Sequence, residues 1–378
     1  MRWSPFKLER YFARWEFAVD HVLCASDCES MAVAELLALE PGAVDRFQAL
    51  WLGYTESAGA PELREAIAQI YATIAPEDVL VHSGAEEAIF VFMHAALGAG
   101  DHIVVHWPCY QSLAEIARGL GCEVTLWKAD ASRGWALDPD DLPHLLRPNT
   151  RVVIVNSPHN PTGYQMPEAH FRAIAALAEQ HGCLLFSDEV YRESEYASAD
   201  RLPAACDLNA SAVSLGVMSK TYGLPGLRIG WVATHNAALL QRMAELKDYT
   251  TICNAAPSEF LAAVALRHRR TLVDRTVALL RQNLDVLDVF MGEHASTFAW
   301  QRPIAGPIAF PGLTGHAASV GAEAFCEWLV HETGVLLLPG TVYDVPNHVR
   351  IGFGRRDLPE ALAKAARALL TSCRAALY

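Results

Sequence analysis

The stretch Val152-Val153-Ile154-Val155-Asn156-Ser157-Pro158-His159-Asn160-Pro161-Thr162-Gly163 decides the fold: four β-branched apolar residues in succession break at once into an Asn/Pro/Gly turn. A short continuous apolar run bounded by turn residues is the pattern of a strand buried on both faces. Pro167-Glu168 then opens a helical pattern running to Gln180, with proline where a first helical turn tolerates it. The same unit recurs on either side. Upstream stand Val79-Leu80-Val81-His82 and Ile103-Val104-Val105-His106, and Pro61-Glu62-Leu63-Arg64-Glu65-Ala66-Ile67 opens another helix on proline. Downstream stand Leu184-Leu185-Phe186, Ala212-Val213-Ser214-Leu215 and Ile229-Gly230-Trp231-Val232. Strands alternating with helices specify an α/β fold, a mostly parallel sheet covered by helices on both faces.

Beyond this region, residues 272–290 read as one long helix, followed by a shorter α+β pattern to the C-terminus. The expected division is a large domain over residues 46–275 and a smaller one made of residues 1–45 and 276–378, the first segment forming an N-terminal arm. The chain shows no repeat, low-complexity segment, charged tail or Pro/Gly/Ser-rich linker. Its 378 residues are 52% hydrophobic and 19% charged, enough apolar content for large cores. A formal net charge of −13 argues against nucleic acid or an anionic membrane as partner. Residues 1–9 have no secretion-signal pattern, and the apolar stretch 88–97 is interrupted by His94 and followed by Gly98 and Gly100, so neither export nor a membrane span is expected. The nine cysteines are odd in number and scattered, and Cys24 and Cys28 lack the two-residue spacing of common redox and zinc motifs. Reduced thiols, a cytoplasmic location and no metal are the expectation.

Four features stand at strand ends. Ser83-Gly84-Ala85-Glu86-Glu87-Ala88 follows the first strand and opens a helix whose free amides can cradle a phosphate, although an ordinary strand-to-helix turn reads the same way. Asn160 lies in the turn quoted above. Ser187-Asp188-Glu189-Val190-Tyr191 places a carboxylate at the end of a buried strand, costly unless it meets a cation; helix capping is its structural alternative. The fourth is Ser219-Lys220-Thr221-Tyr222-Gly223-Leu224-Pro225-Gly226-Leu227-Arg228-Ile229-Gly230-Trp231, where Lys220 taken alone would be a solvated surface residue.

Together, Asn-Pro-Thr-Gly, Asp-Glu-Val-Tyr, and Ser-Lys with an arginine eight positions on resemble the class I/II aminotransferase family, pyridoxal-phosphate-dependent fold type I. The likeness runs from Gly53-Tyr54 to Val349-Arg350-Ile351-Gly352-Phe353. It implies a seven-stranded, mostly parallel sheet and pyridoxal 5'-phosphate as cofactor. Lys220 resembles the Schiff-base lysine that also shuttles a proton at the substrate Cα. Asp188 would pair with the pyridine nitrogen, and Asn160 and Tyr191 would donate to the cofactor's 3-oxygen. Tyr110, in Trp107-Pro108-Cys109-Tyr110, matches the aromatic stacked on the ring, with a core tyrosine as the alternative; Cys109 reads as packing. Gly84, Ala85, Glu86, Ser219 and Arg228 match the phosphate site. Tyr54 matches the tyrosine that reaches the phosphate across a dimer interface, implying a homodimer with shared sites. Arg350 matches the clamp on the substrate α-carboxylate, with a structural salt bridge as the competing reading. Val217 departs from the pattern, because a phosphate-binding hydroxyl often stands there.

The same cofactor chemistry serves several reactions. Transfer of an amino group from an α-amino acid to a 2-oxo acid is the expected activity, and elimination or cyclisation is the alternative. Gly223-Leu224-Pro225-Gly226-Leu227-Arg228 and Lys247-Asp248-Tyr249-Thr250 look similar to the capreomycidine synthase branch, whose guanidinium substrate would call for an acidic pocket. Asp27 and Glu29 are candidates, against a plainer reading as solvated surface. His159 reads as packing or surface rather than as a substrate contact, and His82, His106 and His348 are no more informative. A non-enzymatic sensor on this fold would carry a DNA-binding domain ahead of it, and here the fold begins within the first few dozen residues.

Overall fold

The computed structural model describes residues 3–375, with side chains to residue 371. Met1, Arg2, residues 376–378 and the Cys373 thiol lie outside the described residues. The central sheet holds seven strands: β1 (Val79–His82), β2 (His102–Trp107), β3 (Glu123–Lys128), β4 (Thr150–Asn156), β5 (Leu184–Asp188), β6 (Ala212–Val217) and β7 (Gly230–Ala233). Their order is β1-β7-β6-β5-β4-β2-β3, and β7 alone runs against the others.

The alternating pleat sends successive side chains of β4 to opposite cores. Val152 and Ile154 pack with Phe92, Val105 and Phe186 beneath the helices Ala85–Ala96 and Ala237–Lys247. Val153 and Val155 pack with Phe171 and Ile174 of the helix Glu168–Gln180. All four are fully buried, and each contributes on the order of 1.5–3 kcal/mol relative to exposure. β3 is the strand without a continuous apolar run. It lies at the sheet edge, where only Trp127 is fully buried, so its sequence Glu-Val-Thr-Leu-Trp-Lys keeps polar residues and hides the strand signal.

One helix, Arg269–Glu293, joins two cores. Leu272 and Val273 pack with Ile229 and Leu261, whereas Leu280, Leu284 and Leu287 pack with Leu329, Val349 and Ile351. The second core includes a three-stranded antiparallel sheet of Leu338–Pro339, Val349–Gly352 and Ile308–Ala309. Leu23 and Cys28 join that core, while Leu36, Leu37 and Ala43 pack on the first. The chain around Leu23–Cys28 lies directly on Gly352: the Gly352 amide donates to the Leu23 carbonyl at 2.9 Å, and a Cβ on Gly352 would meet the Ala25 carbonyl oxygen at 1.8 Å. Only glycine permits this approach, and it brings Ser26 and Asp27 beside Arg350 and Arg355. No described helix is long and apolar enough to cross a membrane. The eight described cysteines are all free.

Candidate active site

Parallel strands end at one edge of the sheet, and the reversed β7 begins there. Asn156 lies opposite Asp188, and Gly230 lies opposite both His82 and Val217. The turns that follow β1, β2, β4, β5 and β6, and the one that precedes β7, therefore converge. They surround a cavity of about 410 Å³ lined by Ala85, Glu86, Tyr110, Asn160, Asp188, Tyr191, Ser219, Lys220, Arg228 and Arg350. Residues separated by up to 265 positions thus meet because of strand order.

At the cavity floor Asp188 is buried, with the Val190 amide donating to its Oδ1 at 3.2 Å. Burial pushes its carboxyl up to about 7, against this hydrogen bond and the attraction of Lys220. Burial likewise lowers the Lys220 ammonium, against the pull of Asp27, so the neutral amine becomes accessible. Lys220 Nζ donates to Ser26 Oγ at 2.8 Å. The Tyr191 hydroxyl is buried without a hydrogen-bond partner. Asn160 is held by its own amide, which donates to Asn156 Oδ1 at 2.7 Å, and its Oδ1 accepts from Tyr343 Oη at 3.1 Å and Arg350 at 3.2 Å. Two donors on Oδ1 fix the side-chain amide so that its NH2 remains free to donate.

On one wall Gly84, with φ of +89°, begins the helix Ala85–Ala96, whose first amides have no intrahelical acceptors. The Arg228 guanidinium reaches within 2.6 Å of where a Gly84 Cβ would stand. Arg228 itself takes a left-handed φ of +52° and donates to the Pro225 carbonyl at 3.3 Å. No described carboxylate pairs with it, which leaves a cation beside a helix N-terminus. Glu86 accepts from Ser112 Oγ at 2.6 and 2.8 Å, and burial raises its carboxyl. Tyr110 packs against Phe6 at 5.2 Å.

Arg350 is 1% exposed and donates to the Cys24 carbonyl at 2.8 and 3.2 Å, to Asn160 and to Tyr343 Oη. None of these acceptors is a carboxylate, so the structural salt bridge is absent among the described residues. A buried guanidinium with neutral partners only is arranged for an incoming anion.

Tyr54 does not join its own chain's cavity and is 88% exposed. Val217 faces a separate small space beside Tyr71 and Trp231. The solvated-surface reading of Asp27 is corrected: it lines the cavity and accepts from Arg355 at 3.0 Å through both oxygens. Glu29 lies outside the cavity lining and accepts from the Arg356 amide at 3.0 Å. His159 is a packing residue: Nδ1 meets Thr162 Oγ1, Nε2 meets the Pro108 carbonyl, and the ring stacks on His106 at 3.8 Å. Burial lowers it to about 3, so it stays neutral. His82, His106 and His348 are buried or partly buried packing rings outside the cavity. Cys109 is likewise half-buried, and burial pushes its thiol up to about 12. Among the described residues no cluster of His, Cys, Asp and Glu is arranged to hold a metal ion. Sequence reading missed Ser26, Tyr343, Arg355 and the helix Lys7–Trp15, which contributes Glu9 and Phe12 to the cavity, with its capping Glu16. None of them follows a strand of the central sheet, the one signal that marked the other site residues.

The family model for aminotransferases of class I and II matches residues 32–369. Capreomycidine synthase of Streptomyces vinaceus is 30% identical over 376 residues, covering 97% of this chain and 94% of that protein. A PLP-dependent aminotransferase from Streptococcus suis superposes with a TM-score of 0.91 at 30% identity, covering 99% of this chain and 98% of that one. The PLP-dependent cyclase OrfR superposes with a TM-score of 0.89 at 32% identity, covering 98% of both.

Proposed function

Since this chain belongs to the class I and II aminotransferase family, we propose that it transfers the amino group of an α-amino acid to a 2-oxo acid, with Lys220 as the residue that holds the cofactor. It is a pyridoxal 5'-phosphate-dependent enzyme of the transaminase family and fold. The observation that carries the residue-level reading is the meeting of Lys220, Asp188 and an Arg350 without a carboxylate partner in one cavity.

The residues fit the cofactor. A Gly84 without Cβ, the helix amides at Ala85 and Glu86, Ser219 and the unpaired Arg228 suit a dianionic phosphate. The buried Asp188 suits a protonated ring nitrogen. The orphaned Tyr191 hydroxyl and the free Asn160 NH2 suit a phenolic oxygen, and Tyr110 suits a ring face. When bound, pyridoxal phosphate accepts the electron pair left at the substrate Cα.

The chain's own groups do the rest. Asp188, destabilised as an anion by burial, gains a counter-charge and so holds the proton on the ring nitrogen. Lys220, lowered by burial and oriented by Ser26, is the base that removes the Cα proton and returns it elsewhere. Arg350 fixes the α-carboxylate bidentately, with Tyr343, Asn160 and Cys24 holding its plane.

Elimination or cyclisation is the second reading, favoured by the likeness to capreomycidine synthase and the OrfR cyclase. The two reactions separate by following an isotopically labelled amino nitrogen: transfer carries it stoichiometrically into an added 2-oxo acid. Product formed without any oxo acid, and without label transfer, would reject amino transfer. Borohydride reduction followed by peptide mapping should place the cofactor on Lys220, and recovery on another lysine would reject that assignment.

A homodimer with shared sites is supported by Trp51, Leu52, Tyr54, Tyr249 and Ile252, all more than half exposed on two adjoining segments. Those segments are tied by Thr55 Oγ1 to the Asn254 carbonyl at 3.1 Å. Large exposed apolar groups of this kind mark an interface, and Tyr54 would reach the partner's phosphate from it. The free thiols support a cytoplasmic location. The change of core within helix Arg269–Glu293 supports a cut near residue 276 between the large domain 46–275 and the small one, residues 1–45 with 276–378; Leu36, Leu37 and Ala43 make the arm's junction with the large domain.

A further inference from the structure

The loop that carries Tyr54 is fastened by side chains that take no part in the cavity. Chief among them is Lys247, the last residue of the helix Ala237–Lys247, which is 0% exposed and donates through Nζ to the Ser57 carbonyl. Lys247 lies outside the cavity lining, and among the described residues no carboxylate pairs with it. Burial lowers its ammonium, against the attraction of Glu87 and Glu259. A methionine of similar length would fill the same space without the cost of taking a charge out of water. What the ammonium adds is a directed bond to one carbonyl.

That bond falls on a loop held at several other points. Thr55 Oγ1 reaches the Asn254 carbonyl, Ser57 Oγ donates to Asp248 Oδ1 at 3.3 Å, and the Ala60 amide donates to the buried Glu259 at 3.2 Å. The Val81 amide donates to the Ala58 carbonyl at 3.0 Å, and Gly59, with φ of +107°, lies so close to β1 that a Cβ on it would run into the Val81 side chain. Residues 55–60 are thus anchored along their length, whereas Tyr54 is 88% exposed and stands outside its own chain's cavity. A fixed loop ending in an exposed aromatic group is preorganised for a target beyond its own chain.

We propose that Lys247 is a positioning residue for the cofactor site of the other subunit: by holding the Ser57 carbonyl it fixes the loop from which Tyr54 reaches the partner's phosphate. This rests on Tyr54 crossing the interface as described above. With the loop ordered before the cofactor arrives, the Tyr54 hydroxyl meets the phosphate with little further loss of conformational freedom. Without the bond, the cost of ordering the loop falls on cofactor binding. Lys247 therefore serves the site across the interface and not the cavity of its own chain.

Lys247→Met keeps the stem and removes the ammonium. It should weaken pyridoxal phosphate binding, read by absorbance titration, about tenfold, the worth of one charge-assisted hydrogen bond. Subunit mixing then shows which site is damaged. In a hybrid with Lys220→Ala, one site takes Lys220 from the Lys247→Met subunit and Tyr54 from the Lys220→Ala subunit, whose loop is intact. At a cofactor concentration that leaves the Lys247→Met dimer largely empty, borohydride should fix more cofactor in this mixture than in either parent. Mixing Lys247→Met with Tyr54→Phe should give no gain, because each hybrid site then receives a faulty loop. The reverse pattern, a gain with Tyr54→Phe and none with Lys220→Ala, would place the damage in the chain's own site and overturn the proposal, as would unchanged affinity in Lys247→Met. If Lys247→Met does not fold, Thr55→Val removes a milder anchor of the same loop; it should repeat the expected pattern, and the reverse pattern there overturns the proposal equally. Failure of Tyr54→Phe to complement Lys220→Ala, with subunit exchange verified, rejects the shared site and this role with it. Complementation by Tyr54→Phe but not by Lys247→Met rejects the role of Lys247 alone.

Discussion

Replacing Arg350 with methionine removes the guanidinium and keeps most of the side-chain volume. In the structure that group has neutral acceptors only, the Cys24 carbonyl, Asn160 and Tyr343, and is 1% exposed. An α-carboxylate bound there gains two charge-assisted hydrogen bonds, each worth about 1.5–3 kcal/mol. Their loss amounts to about 3–6 kcal/mol, or roughly two to four orders of magnitude in kcat/KM. The assay sets the amino acid against the corresponding amine without its carboxylate, using wild type and variant. The amino acid should suffer nearly the whole loss and the amine a small one. Substitution also orphans the Cys24 carbonyl and leaves Asn160 Oδ1 with Tyr343 alone, so thermal unfolding should show a modest loss of stability for the variant whatever the substrate. A parallel fall in both rates would mean that Arg350 only holds Cys24 and Asn160 in place, and the carboxylate clamp would be wrong.

Asp188→Asn should leave cofactor binding measurable and slow Cα deprotonation severely, because a neutral amide does not hold the ring proton; an isotope-exchange rate near that of wild type would refute the pairing. In the apoprotein the Asp188 carboxyl sits at about 7, above its unfolded value, so folding favours the protonated form and stability falls as pH rises from about 4 to 7. Unfolding curves should therefore show Asp188→Asn gaining on wild type across that window, by at most ~4 kcal/mol, and a difference that ignores pH would count against the burial argument. Gly84→Ala places a Cβ 2.6 Å from the Arg228 guanidinium on a backbone with φ of +89°, so cofactor affinity should drop about tenfold by spectrophotometric titration; an unchanged Kd would exclude Gly84 from the phosphate cradle. Tyr54→Phe should weaken cofactor binding although Tyr54 is 88% exposed in its own chain, and mixing that variant with Lys220→Ala subunits should restore activity above either alone. No gain on mixing, with subunit exchange verified, would refute a shared site.

The residues of the large sheet were legible because its strands are local events. Val152-Val153-Ile154-Val155 is apolar on both faces because both faces are covered, and the turn residues that stop each run also carry Asn160, Asp188 and Lys220. Once parallel strands are inferred, those turns must share an edge, so the meeting of Asn160, Asp188 and Lys220 in one cavity could be read from the chain alone. β3 escaped because an edge strand keeps polar residues, and with only Trp127 fully buried it has no continuous apolar run. The pairing of Asp27 with Arg355 escaped for a different reason: 328 residues separate them, and the contact exists because Gly352 and Gly354 let the Cys24–Cys28 region lie on the last strand. Whether Arg350 meets a carboxylate or neutral acceptors, and whether the helix Lys7–Trp15 borders the cavity, also depend on which surfaces the two cores bring together. Sequence by itself determined the fold and the residues at strand ends, because periodicity and turn chemistry are local, and the family motifs at those ends implied the cofactor; the charge around the cavity was decided only in the tertiary structure, because it is set by contacts between segments with no local signal of each other.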